Sequence, residues 1–237
     1  MATATNKHKV IDRLFSSMGK HARTGADGTA RPVLEQFVFA LCREGTTRAT
    51  AEQIFGGLQE RFYDWNEVRV SSAREVGELM DGLVADPDAR AQRIIDFLQE
   101  VFDTTYAFDL ERLQKEGLKQ AAKKLSRYQA ANDFVVSFVV QQSLGGHAIP
   151  LDEAALRVLR RLGVLDEDVA DLEALRASIE HQVPKAKGTL FIDLVSEVAA
   201  DHCTPADPVC PACPLASACP TAAAAKAAAA PLSRKPR

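Results

Sequence analysis

Four cysteines and five prolines crowd residues 203–220, which read C-T-P-A-D-P-V-C-P-A-C-P-L-A-S-A-C-P. Proline fixes φ and removes a backbone donor, so this stretch cannot continue as a regular helix or strand. Its order has to come from something other than backbone hydrogen bonding. The cysteines, Cys203, Cys210, Cys213 and Cys219, are spaced C-x6-C-x2-C-x5-C. Four thiolates so close in sequence make a soft donor set suited to tetrahedral coordination. Three readings follow. A [4Fe–4S] cluster takes one thiolate per iron. A structural zinc site takes four thiolates on one ion, usually as two close pairs, and only one C-x2-C is present. Disulfides need an oxidising compartment. Met1–Val10, M-A-T-A-T-N-K-H-K-V, lacks the apolar stretch of a secretory signal, so the expected setting is cytoplasmic and reducing. The spacing favours the cluster. The fifth cysteine, Cys42, lies in the apolar run F-V-F-A-L-C and reads as core.

The 237 residues can bury one or two cores. Aromatics are sparse, at 6 %, and helix-forming Ala and Leu are frequent, which favours an all-α chain. Helices are expected over 33–43, 51–62, 73–83, 89–102, 109–127 with a break at Gly117, 134–143, 152–162, 166–181 and 189–201. A shorter one is expected around Val10, Leu14 and Phe15, and the glycine-rich stretch Gly25–Gly28 reads as a loop. The run F-V-V-S-F-V-V from Phe134 has strand-like composition. Its neighbours are all helical and no partner strand is evident, so a buried helix is expected there. The longest stretch without a formal charge, Phe134–Leu151, carries Gln141, Gln142, Ser143, Gly145, Gly146 and His147 and is no bilayer span. Residues 221–237 are an alanine-rich basic tail, expected to fray or be disordered.

The cysteine spacing, and the approach V-P-K-A-K-G-T-L-F-I-D-L-V-S-E-V-A-A-D-H-C from Val183, resemble the endonuclease III and adenine-glycosylase branch of the helix-hairpin-helix DNA glycosylases. The resemblance covers residues 30–220. It implies a two-lobed all-α fold: a helical barrel over 33–146, and a [4Fe–4S] lobe joining 1–32 with 147–220. Double-stranded DNA would bind in the cleft between the lobes, with the damaged base flipped out. I-P-L-D-E-A-A-L-R-V, from Ile149, resembles the family segment that carries the catalytic aspartate, and places Asp152 there. As plain chemistry, an aspartate at that point is also a favoured helix N-cap.

Three family features are altered. The hairpin L-P-G-V-G-x-K-T-A corresponds to Y-Q-A-A-N-D-F-V-V, Tyr128–Val136, so both glycines are missing. Phe134 stands where bifunctional lyases carry their Schiff-base lysine, so AP-lyase activity is not expected. Glu44 takes the place of a glutamine that fills the gap left by the flipped base. The net charge of −3 and pI of about 6.0 give no global attraction to a polyanion. Lys115, Lys119, Lys123 and Arg127, every fourth residue, can form a cationic stripe that contacts DNA, and Arg157 can reach a phosphate from the helix after Asp152. The same residues read equally as solvated faces, with Glu111 paired to Lys115, and Arg160 and Arg161 paired to Asp166 and Glu167. Two functions remain open: a monofunctional DNA N-glycosylase acting through Asp152, or a non-catalytic module that binds DNA, RNA or a protein. A redox-responsive binder is a weaker third. A monomer is expected in each case.

Overall fold

The computed structural model describes residues 4–19 and 31–229, and no strand occurs among them. Residues 20–30, with the Gly25–Gly28 stretch, and 230–237 of the tail lie outside the described residues. Among the described residues twelve α-helices run in order: α1 Ala4–Met18, α2 Val33–Arg43, α3 Arg48–Arg61, α4 Trp65–Val70, α5 Ala73–Gly77, α6 Pro87–Thr105, α7 Leu118–Leu125, α8 Asp133–Gln142, α9 Glu153–Arg161, α10 Leu172–Gln182, α11 Gly188–Asp201 and α12 Pro220–Ala229. None is long and apolar enough to cross a membrane.

The helix starts follow capping chemistry. Thr47, Asp64, Ser72, Asp86, Asn132, Asp152 and Asp171 each accept a backbone N–H from the first turn of the helix that follows. Pro32 before α2 has no side-chain acceptor, and the carboxylate of Glu111 takes the N–H of Val33 instead. Glu111 does not pair with Lys115: its second oxygen accepts from Gln114.

Three expected helices differ. The break expected at Gly117 within residues 109–127 is present, but the part before it is a 3-10 turn over Glu111–Lys115, followed by extended backbone at Glu116 and Gly117 before α7 begins. Lys115 is therefore off the axis shared by Lys119 and Lys123. The helix expected from 166 begins only after the Asp171 cap, and residues 73–83 end as α5 and a 3-10 turn over Glu78–Met80. The strand-like run from Phe134 is helix α8, because Asn132 caps it and the apolar side chains are buried all round. The tail keeps helix to Ala229.

Two hydrophobic cores form. One gathers Val33 through Val139 around α2, whose residues are buried except Glu35. Phe37 stacks on Phe97 with centroids 3.8 Å apart, and Tyr128 meets both rings edge-on. Each such pair adds about 0.5–1.5 kcal/mol beyond area burial. Trp65 packs against Phe55 at the α3–α4 junction. The other core joins Val10, Ile11 and Leu14 of α1 to residues from Ile149 to Leu215. Polar contacts tie the cores together. Arg43, at the end of α2, donates to Asp193 and Ser196 on α11, and Gln142 donates to Thr189.

Candidate functional site

The loop between α2 and α3 reaches α6, the α7–α8 hairpin and the start of α9. It turns through Gly45 at φ +71, a conformation that side chains resist. The guanidinium of Arg90 donates to the carbonyls of Leu41, Cys42 and Glu44, so α6 closes the open C-terminus of α2.

Asp152 stands opposite. Its Oδ1 accepts the N–H of Ala155 at 2.7 Å, and its Oδ2 accepts the N–H of Gly45 at 2.9 Å. The capping role read from sequence is present, and the second bond links the α9 start to the α2–α3 loop across the two cores. Beside it lies a pocket of about 270 Å³ lined by Gly45, Thr46, Ala154, Arg157, Ser196 and Ala200 among others. Arg157 donates from Nε to the carbonyl of Cys203 at 2.8 Å and lines this pocket. One helix thus carries Asp152 at its start and holds the cysteine loop further along.

Helix α7, a turn and helix α8 preserve a helix-turn-helix hairpin without either glycine. Asn132, at the second glycine position, has extended backbone (φ −135, ψ −177) that any residue adopts. Ala130, at the first, is buried, and its carbonyl accepts from Arg93. The N–H of Gln129 is taken by the carboxylate of Glu100. Phe134 is 3 % exposed and stacks toward Phe138, so the lysine position of the family lies inside the core.

Glu44 is no free carboxylate. Its Oε2 accepts from Arg93 at 2.8 Å and its Oε1 from the side-chain amide of Asn132 at 2.6 Å. Lys115, Lys119, Lys123 and Arg127 are all exposed, and among the described residues no carboxylate pairs with them; the neighbouring Lys124 pairs with Glu116. Arg160 and Arg161 make no pair with Asp166 or Glu167. Arg160 donates to the carbonyl of Val169, and Asp166 pairs with Lys7. His147 contacts the carbonyl of Glu180, a structural setting.

The four cysteines line one pocket of about 360 Å³, together with Val158, Arg161, Leu162 and Val198 among others. No disulfide joins any of them. Arg161 fastens both ends of the loop: its guanidinium donates to the carbonyls of Thr204 and Pro205 and approaches the Cys203 sulfur at 3.5 Å. Its carbonyl accepts from Thr221 and Cys219. Burial pushes the Cys213 thiol up, and the sulfurs of Cys219, Cys203 and Cys210 push the same way. No three His, Cys, Asp or Glu side chains among the described residues stand close enough to share one ion. A mononuclear tetrahedral site draws its thiolates to about 3.8 Å from one another, given Zn–S bonds of about 2.3 Å. A cluster binds each thiolate to a different iron and spreads them. Four cysteines lining one pocket are a donor set whose chemistry suits a thiolate-held metal centre.

Sequence reasoning missed Arg93, Glu100 and the Arg43–Asp193 pair, and it gave Arg161 carboxylate partners instead of the carbonyls of the cysteine loop. Asn132 was findable as an N-cap. The others act over long separations, which no local pattern reports. It also passed over a plain signal: Cys203–Cys219 contains one formal charge, Asp207, and no Lys or Arg.

No protein-family model matches the sequence, and no curated protein matches it at a significant level. Solved structures do match. An endonuclease III in a non-covalent complex with DNA is 18 % identical with a TM-score of 0.68, covering 96 % of this chain and 100 % of the other. A thermostable thymine-DNA glycosylase is 19 % identical with a TM-score of 0.64, over 94 % and 100 %. A 3-methyladenine DNA-glycosylase from Archaeoglobus fulgidus is 16 % identical with a TM-score of 0.52, over 82 % and 68 %. With twelve helices and no strand among the described residues and with these structural matches, the chain has the all-α fold of the helix-hairpin-helix DNA glycosylases.

Proposed function

We propose that this chain is a DNA-repair-type protein that binds double-stranded DNA between a barrel lobe, 33–146, and a cluster lobe, 1–32 with 147–220. Its chemistry, where it acts, is monofunctional N-glycosylase chemistry centred on Asp152. The observation that carries this reading is the Asp152 carboxylate, pinned by N–H groups from two different elements beside an open pocket. A carboxylate so held does not rotate. It can stabilise the positive charge that develops on the sugar carbon as the N-glycosyl bond breaks and its electron pair leaves with the base. Water then adds to that carbon, and the proton it gives up ends on the departing base. Phe134 offers no amine, so no covalent lysine intermediate forms. Lys119, Lys123 and Arg127 supply exposed cations along α7 and its turn for phosphate contacts, with Arg157 nearer the pocket.

Cys203, Cys210, Cys213 and Cys219 would hold a [4Fe–4S] cluster. Four thiolates on four irons leave no open iron, so the group would supply order to the loop and a capacity for electron transfer. Free thiols of this kind belong in a reducing compartment.

A second reading is a binding module without chemistry. It is favoured by the carboxylates Glu44 and Glu100, which occupy donors on the hairpin side, and by the absence of any cation in the cysteine loop. Duplex DNA carrying a stable abasic-site analogue separates the outcomes. Selective binding over undamaged duplex, with base release lost in Asp152→Asn by roughly a hundredfold or more, is the expected result. Unchanged, unselective binding by both forms supports the module. Borohydride treatment that traps the protein on DNA through a lysine would overturn the no-lyase assignment.

A further inference from the structure

Resting on the reading that Asp152 is the reacting carboxylate, we infer that Arg90 is a positioning residue for it, acting through the single peptide unit between Glu44 and Gly45. A trans peptide is planar, and its C=O and N–H point to opposite sides. Here the two sides meet opposite charges. The Glu44 carbonyl accepts from the Arg90 guanidinium at 2.7 Å, and the Gly45 N–H donates to Oδ2 of Asp152 at 2.9 Å. Hydrogen bonds chained in this way polarise one another, so the guanidinium strengthens the N–H as a donor to the carboxylate. Burial presses the Arg90 guanidinium toward deprotonation, and Glu44 and Asp152 are among the groups that oppose this.

The same peptide has a second orientation open to it. Glu44 (φ −58, ψ 121) and Gly45 (φ +71) are the central residues of a type II turn, closed by the Thr46 N–H on the Arg43 carbonyl at 3.1 Å. Rotating that one peptide gives a type I turn with both ends in place. The flip sets the Glu44 oxygen against the Asp152 carboxylate and the Gly45 N–H against the Arg90 guanidinium, which is unfavourable on both sides. Arg90 does not depend on the peptide for its own place. Its other acceptors, the carbonyls of Leu41 and Cys42 at 2.7 and 3.1 Å, fix it over the end of α2. The Glu44 side chain is held separately by Arg93 and Asn132. Arg90 therefore selects the orientation in which an N–H, and not a carbonyl oxygen, faces Asp152. Gly45 permits that orientation. A side chain there would meet nothing within 4 Å, so a substitution acts through φ alone.

The test compares Gly45→Ala, Gly45→Asn, Arg90→Gln and Gly82→Ala. Gly82, at φ +75 with open space around it, carries the same backbone strain in another turn. In the free protein NMR reads the peptide directly. A strong NOE from the Glu44 Hα to the residue 45 N–H marks the type II turn, and one from the Glu44 N–H marks the flipped form. The unaltered protein and Gly45→Asn should show the first, since asparagine tolerates left-handed backbone. Gly45→Ala and Arg90→Gln should show the second. Base release from alkylated and oxidised duplex DNA, at saturating protein, should fall roughly tenfold in Gly45→Ala and recover in Gly45→Asn. Affinity for duplex with an abasic-site analogue should stay unchanged, because the turn steadies the carboxylate and not the DNA. Should Arg90→Gln fail to fold, the Gly45 pair decides alone. An unflipped peptide in Gly45→Ala, or a flipped one with undiminished base release, overturns the inference. A loss in Gly82→Ala equal to that in Gly45→Ala overturns it too, by assigning the effect to general strain. Flipped peptides in a protein that releases no base in any form sustain the hold of Arg90 on Asp152 and overturn the catalytic reading instead.

Discussion

Asp193→Ala is expected to lower the unfolding free energy by about 3–5 kcal/mol, since it strips a buried guanidinium of its counter-charge. Arg43 is 1 % exposed and touches Thr46, Ile192, Asp193 and Ser196. Of these only Asp193 is charged. Burial presses the Arg43 guanidinium toward deprotonation, and Asp193 is the chief group opposing this. A residual arginine without that partner keeps the desolvation cost and loses the attraction. For a chain of this length, 3 kcal/mol corresponds to a melting temperature lower by about 6–12 °C. Ser196→Ala removes one neutral acceptor and should cost only about 1 kcal/mol. Replacing the pair together, Arg43→Met with Asp193→Leu, should recover only part of the loss, because Asp193 also accepts from Arg48 at 2.7 Å and that guanidinium stays behind. Urea melts of the three variants check the pattern. Equal losses for the single and the paired replacement would mean that packing, not charge, carries the site. The consequence reaches function: Arg43 anchors the chain immediately before Glu44 and Gly45, so loosening it slackens the N–H that steadies Asp152.

That dependence marks what could be read from the residues and what could not. That the four cysteines share one pocket was legible from their close local spacing, and the Asp152 cap because a helix cap has a local signature. The helix from Asp133 was legible only against its own composition. β-branched residues favour strands where they pack on one face of a sheet, and here every face is buried against helices. The cationic stripe was only partly legible. A four-residue repeat implies one face only on an unbroken helix, and extended backbone at Glu116 and Gly117 puts Lys115 on a different element from Lys119 and Lys123. The pairings of Glu44 were not legible at all. Its partners lie on other helices, and whether a carboxylate faces solvent or a guanidinium is settled by packing rather than by its neighbours in sequence. The same is true of Glu111, whose expected partner was a lysine four residues on and whose actual one is a backbone N–H at the start of α2.

Removing one sulfur from the loop, Cys213→Ala, is expected to have the other large effect. Cys213 sits between a 3-10 turn over Cys210–Ala212 and the buried Leu215, and packs against the second core with Cys203 and Cys219. The loop holds two 3-10 turns and short backbone bonds such as that from the Val209 N–H to the His202 carbonyl, and on the proposed reading the bound cluster adds to these. With three ligands left, iron content should fall well below about four per chain, the visible charge-transfer absorbance should bleach, and melting should drop by more than about 10 °C. The loss should concentrate in the second core, because α9 holds the loop through Arg157 and Arg161 and shares that core. Amide exchange should therefore rise in α9 and α11 more than in α2 or α6. Cys42→Ala is the internal control. Cys42 is fully buried in the first core, and burial pushes its thiol up to about 12, so it remains protonated and cannot serve as a ligand. That variant should keep its iron and its visible spectrum, losing only the packing of one small side chain. A Cys213→Ala protein with full iron content and unchanged melting would show that the loop is ordered by its contacts to α9 alone, and that the four cysteines are not the ligand set.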